Sequence, residues 1–214
     1  MFIRAVSFGE YEGSMRAAIH ALKYDRMGPA ARKLARMLAA AMAQLAPETG
    51  EAAPREMLVV PVPLHPGRMA ERGFNQARIL AAEAIGLLKK SHPSWRLELA
   101  SKALVRQKST ESQAGLTARQ RRLNLRGAFF VADAATVRGR HILLVDDIYT
   151  TGATARACSR TLMEAGAASV RVATLARAQR RYALPVREER NYARLSLPED
   201  DADDSRPPNT LTVQ

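Results

Sequence analysis

Two adjacent carboxylates, Asp146 and Asp147, stand between an apolar run and a small, hydroxyl-rich turn. The run 142–145 has no polar alternation, as expected of a parallel strand covered on both faces. The carboxylates follow where that strand should end, which is where α/β sheets set their ligand crevice. Thr150, Thr151, Gly152, Ala153 and Thr154 come next. They offer hydroxyls, backbone amides and a glycine free to bend backward, at the start of a helix whose N-terminus attracts anions. Carboxylates beside such an anion cradle suit a ligand that carries both sugar hydroxyls and a phosphate. An acidic strand end beside an ordinary capped helix is the alternative, and an Asp-Asp pair alone would not exclude it.

Two further segments carry charge suited to the same ligand. Residues 59–76 run from a strand into a loop holding His65, Arg68, Arg72 and Gly73, with Asn75 placed to cap the next helix. Arginine presents a planar fork of donors that matches phosphate oxygens. A Pro-stiffened surface loop with solvated arginines is the competing reading. From 102 to 124 the chain is polar and basic, with Arg106, Lys108, Arg121 and Arg122. A long polar connection inside a compact domain is a lid or a disordered segment. A solvated basic helix without a ligand remains open there.

The elements that must position these residues alternate along the chain. Strands are expected over 3–8, 57–62, 127–132, 139–145 and 169–176, and helices over 12–24, 28–45, 74–90 and 152–165. Residues 47–55 read as a linker, 63–73 as a loop, 95–105 as extended, and 106–126 as polar chain enclosing a short helix. Alternating strands and helices argue for a parallel sheet with right-handed crossovers. Successive strand residues point to opposite faces, so both carboxylates can meet one sugar only if the strand ends near Asp146.

Composition narrows the class. A chain of 214 residues can bury one substantial core, and its formal charge is +12. The last 17 residues hold five acids and one arginine, and are expected to be disordered. Without them the body has 32 basic against 16 acidic residues, a charge of +16 that attracts polyanions. Aromatics make up 5%, too few for an obvious base-stacking platform. Cys158 is the single cysteine, which excludes an intrachain disulfide and a cysteine-based zinc site; packing is its expected role. The histidines His20, His65, His92 and His141 show no metal-site spacing. Glu10 and Glu12 interrupt any signal-peptide layout, and the apolar helix 34–46 contains Arg36 and is too short to span a bilayer. A soluble cytoplasmic protein is the expectation.

The Asp-Asp loop resembles the phosphoribosyl-diphosphate (PRPP) motif of type I phosphoribosyltransferases. In their order the segments are similar to the ComF family of competence-associated proteins. The residues carrying this are Leu22-Lys23-Tyr24, the stretch from Pro61-Val62-Pro63-Leu64 to Arg72-Gly73-Phe74-Asn75-Gln76, Ser112-Gln113 with Arg121 and Asn124, Gly127-Ala128-Phe129, and the Asp-Asp loop. They span roughly 5–178. The resemblance implies a three-layer, Rossmann-like parallel sheet with a mobile hood. It divides the chain into N-terminal hood or edge elements over 1–56, a phosphoribosyltransferase core over 57–178, and an extension over 179–214.

Carried onto these residues, the resemblance makes Asp146 and Asp147 the ribose ligands and catalytic pair. Thr150, Thr151, Gly152, Ala153 and Thr154 hold the 5-phosphate; Arg68, Arg72 and Gly73 the pyrophosphate; Arg106 and Lys108 reach in from the hood. It implies PRPP with Mg²⁺ and an unidentified acceptor, no side-chain cluster that binds metal by itself, possible association with DNA-uptake or replication proteins, and a homodimer as an open alternative. A non-catalytic PRPP or nucleotide module serving as scaffold or sensor is the rival, and direct DNA binding through the basic body a third reading. Two departures stand out. Many members carry a four-cysteine zinc segment ahead of the first strand, and this chain begins after that point, as a short form or a late start-site assignment. Several purine-base enzymes also place a carboxylate where Thr150 stands, and threonine takes up no proton at neutral pH.

Overall fold

The computed structural model describes residues 2–22, 29–47, 55–107, 125 and 127–178. They fall in one compact unit, Met1–Arg180. Lys108, Arg121 and Arg122 of the expected hood, and the acidic tail, lie outside the described residues.

The strands are β1 (Arg4–Glu10), β2 (Glu56–Pro61), β3 (Arg96–Leu99), β4 (Leu104–Arg106), β5 (Phe129–Val131), β6 (His141–Tyr149) and β7 (Ser169–Arg177). The helices are α1 (Gly13–Leu22), α2 (Pro29–Ala43), α3 (Pro66–Arg72), α4 (Gln76–Ser91), α5 (Ala134–Val137) and α6 (Ala153–Glu164). Five strands form a sheet in the order β1-β7-β6-β2-β3, every neighbouring pair parallel. From β2 the chain steps outward to β3. From β6 it steps the other way to β7. The direction of winding therefore reverses between β2 and β6, the position at which open α/β sheets bind ligands.

Period-two burial divides the central strands between two cores. Met57 and Val59 of β2 and Leu143 and Val145 of β6 face one, and Leu58, Val60, Ile142 and Leu144 face the other. The first is closed by Ile19, Leu34, Leu38, Leu80 and Leu88 from α1, α2 and α4. The second is closed by Cys158 and Leu162 of α6 and by Leu104 and Phe129. Burying one such leucine contributes about 1.5–3 kcal/mol. Helices on both faces of a parallel sheet give the three-layer α/β arrangement expected.

Three expectations need correction. Residues 63–73 are not all loop: His65 caps α3 by accepting from the Gly67 amide, Pro66 occupies the first turn, and Gly73 ends the helix at φ 69°. Proline just inside a helix start and glycine just past its end are helix punctuation, not only loop markers. Second, β5 does not join the parallel sheet; it pairs antiparallel with β4 in a separate two-stranded ribbon. Third, β6 does not end near Asp146 but runs on to Tyr149, because β7 keeps pairing with it as far as Tyr149 opposite Arg177.

Candidate functional site

The crevice exists because β2 stops before β6 does. Pro61 sits opposite Val145, and the Val62 amide donates to the Val145 carbonyl at 2.8 Å. Pro63 follows two residues later and has no amide proton with which to extend a ladder. From Asp146 onward β6 pairs with β7 alone. A cavity of about 460 Å³ opens there, lined by Arg68, Glu71, Arg72, Gln76, Arg106, Asp146, Asp147, Thr150 and Thr154 among others.

Both carboxylates reach this cavity although the ladder continues past them. The side-chain alternation slips at the pair: Ile148 packs with the core of Leu143 and Val145, and Tyr149 packs with the core of Ile142 and Leu144. Strict alternation would give the reverse. The Asp147 amide donates to Asp146 Oδ1 at 2.9 Å, a local bond of the kind that competes with regular strand geometry. So the requirement that the strand end near Asp146 is replaced by a break in its side-chain period.

Electrostatics at the pair is uneven. Burial pushes the Asp146 carboxyl well above the ordinary carboxylate range, the Asp147 charge adds to this, and Arg106 opposes it. The Arg106 guanidinium is drawn down chiefly by burial and lies 5.6 Å from the centroid of the Phe129 ring. Cys158 lies beneath the site; burial and then Asp146 push its thiol well up, so it remains a protonated packing group.

The turn after β6 is held from several sides. Gly152 takes φ 69°, and a Cβ there would collide with the Tyr149 ring and come within 3.0 Å of Arg156. Arg156 Nη2 donates to the Thr151 carbonyl at 2.5 Å, and the Arg177 guanidinium lies 5.8 Å from the Tyr149 ring centroid. Thr150 and Thr154 line the main cavity. Thr151, Gly152 and Ala153 instead line an adjoining recess of about 20 Å³, room for about one water. A phosphoryl group would enter that recess only if the turn widened.

Of the expected pyrophosphate residues, Arg68 and Arg72 line the cavity, whereas Gly73 is the C-cap of α3, its amide donating to the Met69 carbonyl at 2.7 Å. His65 both caps α3 and lines the cavity. Arg106 reaches the cavity from β4; Lys108 lies outside the described residues. Sequence reasoning missed Gln76, Arg156 and Arg177. Gln76 is buried and touches both Arg72 and Asp147. Gln76 stands in the stretch that carries the family resemblance, directly after the Asn75 cap, but nothing local gave it a role in the site.

Among the described residues no group of three His, Cys, Asp or Glu side chains could hold a metal ion. Asp146 and Asp147 supply hard oxygen donors that fit a magnesium ion sharing its remaining positions with ligand oxygens and water. No helix among those residues is long and apolar enough to cross a membrane.

Residues 69–199 match the family described as the phosphoribosyl transferase domain. The chain is 35% identical over 174 residues to the DNA utilization protein YhgH of Escherichia coli O157:H7, covering 81% of this chain and 72% of that one. It is 32% identical over 176 residues to Competence protein F of Haemophilus influenzae, covering 82% and 73%. A glutamine PRPP amidotransferase from B. subtilis, complexed with ADP and GMP, aligns at 22% identity and TM-score 0.38, over 67% of this chain and 25% of that one.

Proposed function

Because this chain belongs to the phosphoribosyl transferase domain family, in its ComF branch, we propose that it binds PRPP with Mg²⁺ and transfers the phosphoribosyl group to an acceptor, releasing pyrophosphate. One observation carries this reading: a carboxylate pair, two arginines and two threonines line a single cavity at the reversal point of a parallel sheet. Each group matches one part of the ligand. Asp146 and Asp147 take the ribose hydroxyls, Thr150 and Thr154 the 5-phosphate, with Thr151, Gly152 and Ala153 completing the loop once it widens. Arg68 and Arg72 take the diphosphate, and Arg106 approaches from the ribbon.

Transfer requires the anomeric C–O bond to break while positive charge grows on the ribose ring. The carboxylates orient that ring and lie near the developing charge. The arginines stabilise the departing pyrophosphate. The phosphate loop anchors the far end, so binding energy remote from the reacting bond serves turnover as well as affinity. Asp146 and Asp147 would be the residues to hold magnesium, which would supply charge neutralisation to the leaving group. Thr150 supplies no base at the position where purine-base enzymes carry a carboxylate, so the acceptor is one that needs none there.

Relatives named for DNA utilization and competence favour a second reading, in which the PRPP site serves as a sensor or scaffold for cytoplasmic DNA-handling proteins. Calorimetric titration with PRPP and Mg²⁺, repeated on the double variant Asp146→Ala/Asp147→Ala, tests what both readings share. Heat of binding in the parent and none in the variant is expected; a parent that binds nothing removes both. Pyrophosphate release with a panel of acceptors then separates transferase from sensor.

A further inference from the structure

Arg72 and Asp147 carry opposite charges, face one cavity and belong to segments far apart in the chain, yet they do not pair with each other. Arg96–Glu56 and Arg140–Glu98 do form ion pairs, at 2.8 Å each. Between Arg72 and Asp147 stands Gln76, the first residue of α4 and 5% exposed. Arg72 Nη1 donates to Gln76 Oε1 at 3.3 Å, and Gln76 Nε2 donates to Asp147 Oδ2 at 3.3 Å. A guanidinium only donates and a carboxylate only accepts, so this arrangement sets the orientation of the amide between them. A carboxylate in place of the amide could not donate to Asp147, and an apolar side chain could bond to neither.

We propose that Gln76 is a positioning residue, an amide spacer that holds Arg72 and Asp147 in one geometry while keeping them from neutralising each other. A direct arginine–carboxylate pair would be charge-assisted and bidentate, and it would occupy the donors and acceptors a ligand must use. The spacer leaves each charge available. It is itself anchored: Asn75 caps α4 by accepting from the Arg78 amide and donates to the Val62 carbonyl at 3.0 Å, tying the helix start to the end of β2. Gln76 thus links a residue on the pyrophosphate side of the site to one on the ribose side. The consequence for ligand binding rests on the PRPP reading above; the link itself does not.

The experiment has two arms. Gln76→Met keeps size and helix preference without the amide, and Gln76→Glu keeps shape and acceptor without the donor. In the ligand-free protein, side-chain NMR follows the order of the Arg72 Nε and the Asp147 carboxyl carbon shift. Gln76→Met is expected to disorder the first and move the second. Gln76→Glu should move the Asp147 signal and leave Arg72 ordered. If neither signal changes in Gln76→Met, the link does not exist. In the second arm PRPP–Mg²⁺ affinity is measured for the parent, Gln76→Met, Arg72→Ala and the double variant. Gln76→Met should weaken binding about tenfold in the parent background, and less than about twofold once Arg72 is gone, because coupled residues are non-additive. Equal losses in both backgrounds would make Gln76 ordinary packing and overturn the proposal. A parent that fails to bind PRPP would refute the functional reading, while the ligand-free arm would still decide the link.

Discussion

A carboxyl group half-buried in a cavity wall and set beside a second carboxyl holds its proton more tightly than it does in the unfolded chain, and Asp146 is so placed. With its folded pKa raised, the stability it contributes is complete below the ordinary aspartate range and is lost as pH climbs through the raised value. Near neutral pH Asp146 therefore costs stability. Asp146→Asn should raise the melting midpoint of the ligand-free protein by about 2–4 °C at pH 7, the shift for about 1 kcal/mol in a chain of this size. The same variant should abolish the heat of PRPP–Mg²⁺ binding. A lowered midpoint would mean that a partner stabilises the charged form. Gly152 makes the opposite forecast. Alanine there sets a Cβ against the Tyr149 ring at positive φ, so Gly152→Ala should destabilise by about 1–3 kcal/mol and weaken phosphate binding. Thermal melting and titration with inorganic phosphate would check both effects.

Helix α3 is seven exposed or half-buried residues with no core of its own, so its terminal caps are what set it over the cavity. Losing a cap of this kind costs about 1 kcal/mol. His65→Ala should fray α3, scatter Arg68 and Arg72, and reduce PRPP affinity about fivefold while global melting falls by no more than about 2–4 °C. Unchanged affinity would show that the arginines are positioned from elsewhere. The same element shows where the sequence was legible. Central strands, long helices and the Asp-Asp loop were readable because apolar period and length are strong local signals. Residues Pro66 and Gly73 carried helix punctuation that a loop explains equally well, and seven residues without an apolar stripe could not break the tie. The slip at Asp146–Asp147 and the Gln76 link were not readable at all. Both depend on neighbours brought in by the fold from other parts of the chain.

For the molecule as a whole, the sequence carries an excess of 12 positive charges, and Arg68, Arg72 and Arg106 line the cavity. A highly charged phosphate ester should therefore bind faster and tighter at low ionic strength. Raising salt from about 0.05 to 0.3 M should slow association of PRPP several-fold with a smaller effect on dissociation, measurable by stopped flow. A salt-independent association rate would mean that the bulk charge is irrelevant to capture. The strand order β1-β7-β6-β2-β3 has its own consequence during synthesis. When β2, α4 and β3 have left the ribosome, the flank of β2 that will receive β6 is still bare, because 41 residues separate Leu99 from His141. Half a sheet with an open apolar border is a known hazard for wrongful pairing. Nascent chains cut short before Val145 should thus clump or be retained by chaperones, and those extended past Arg177 should not.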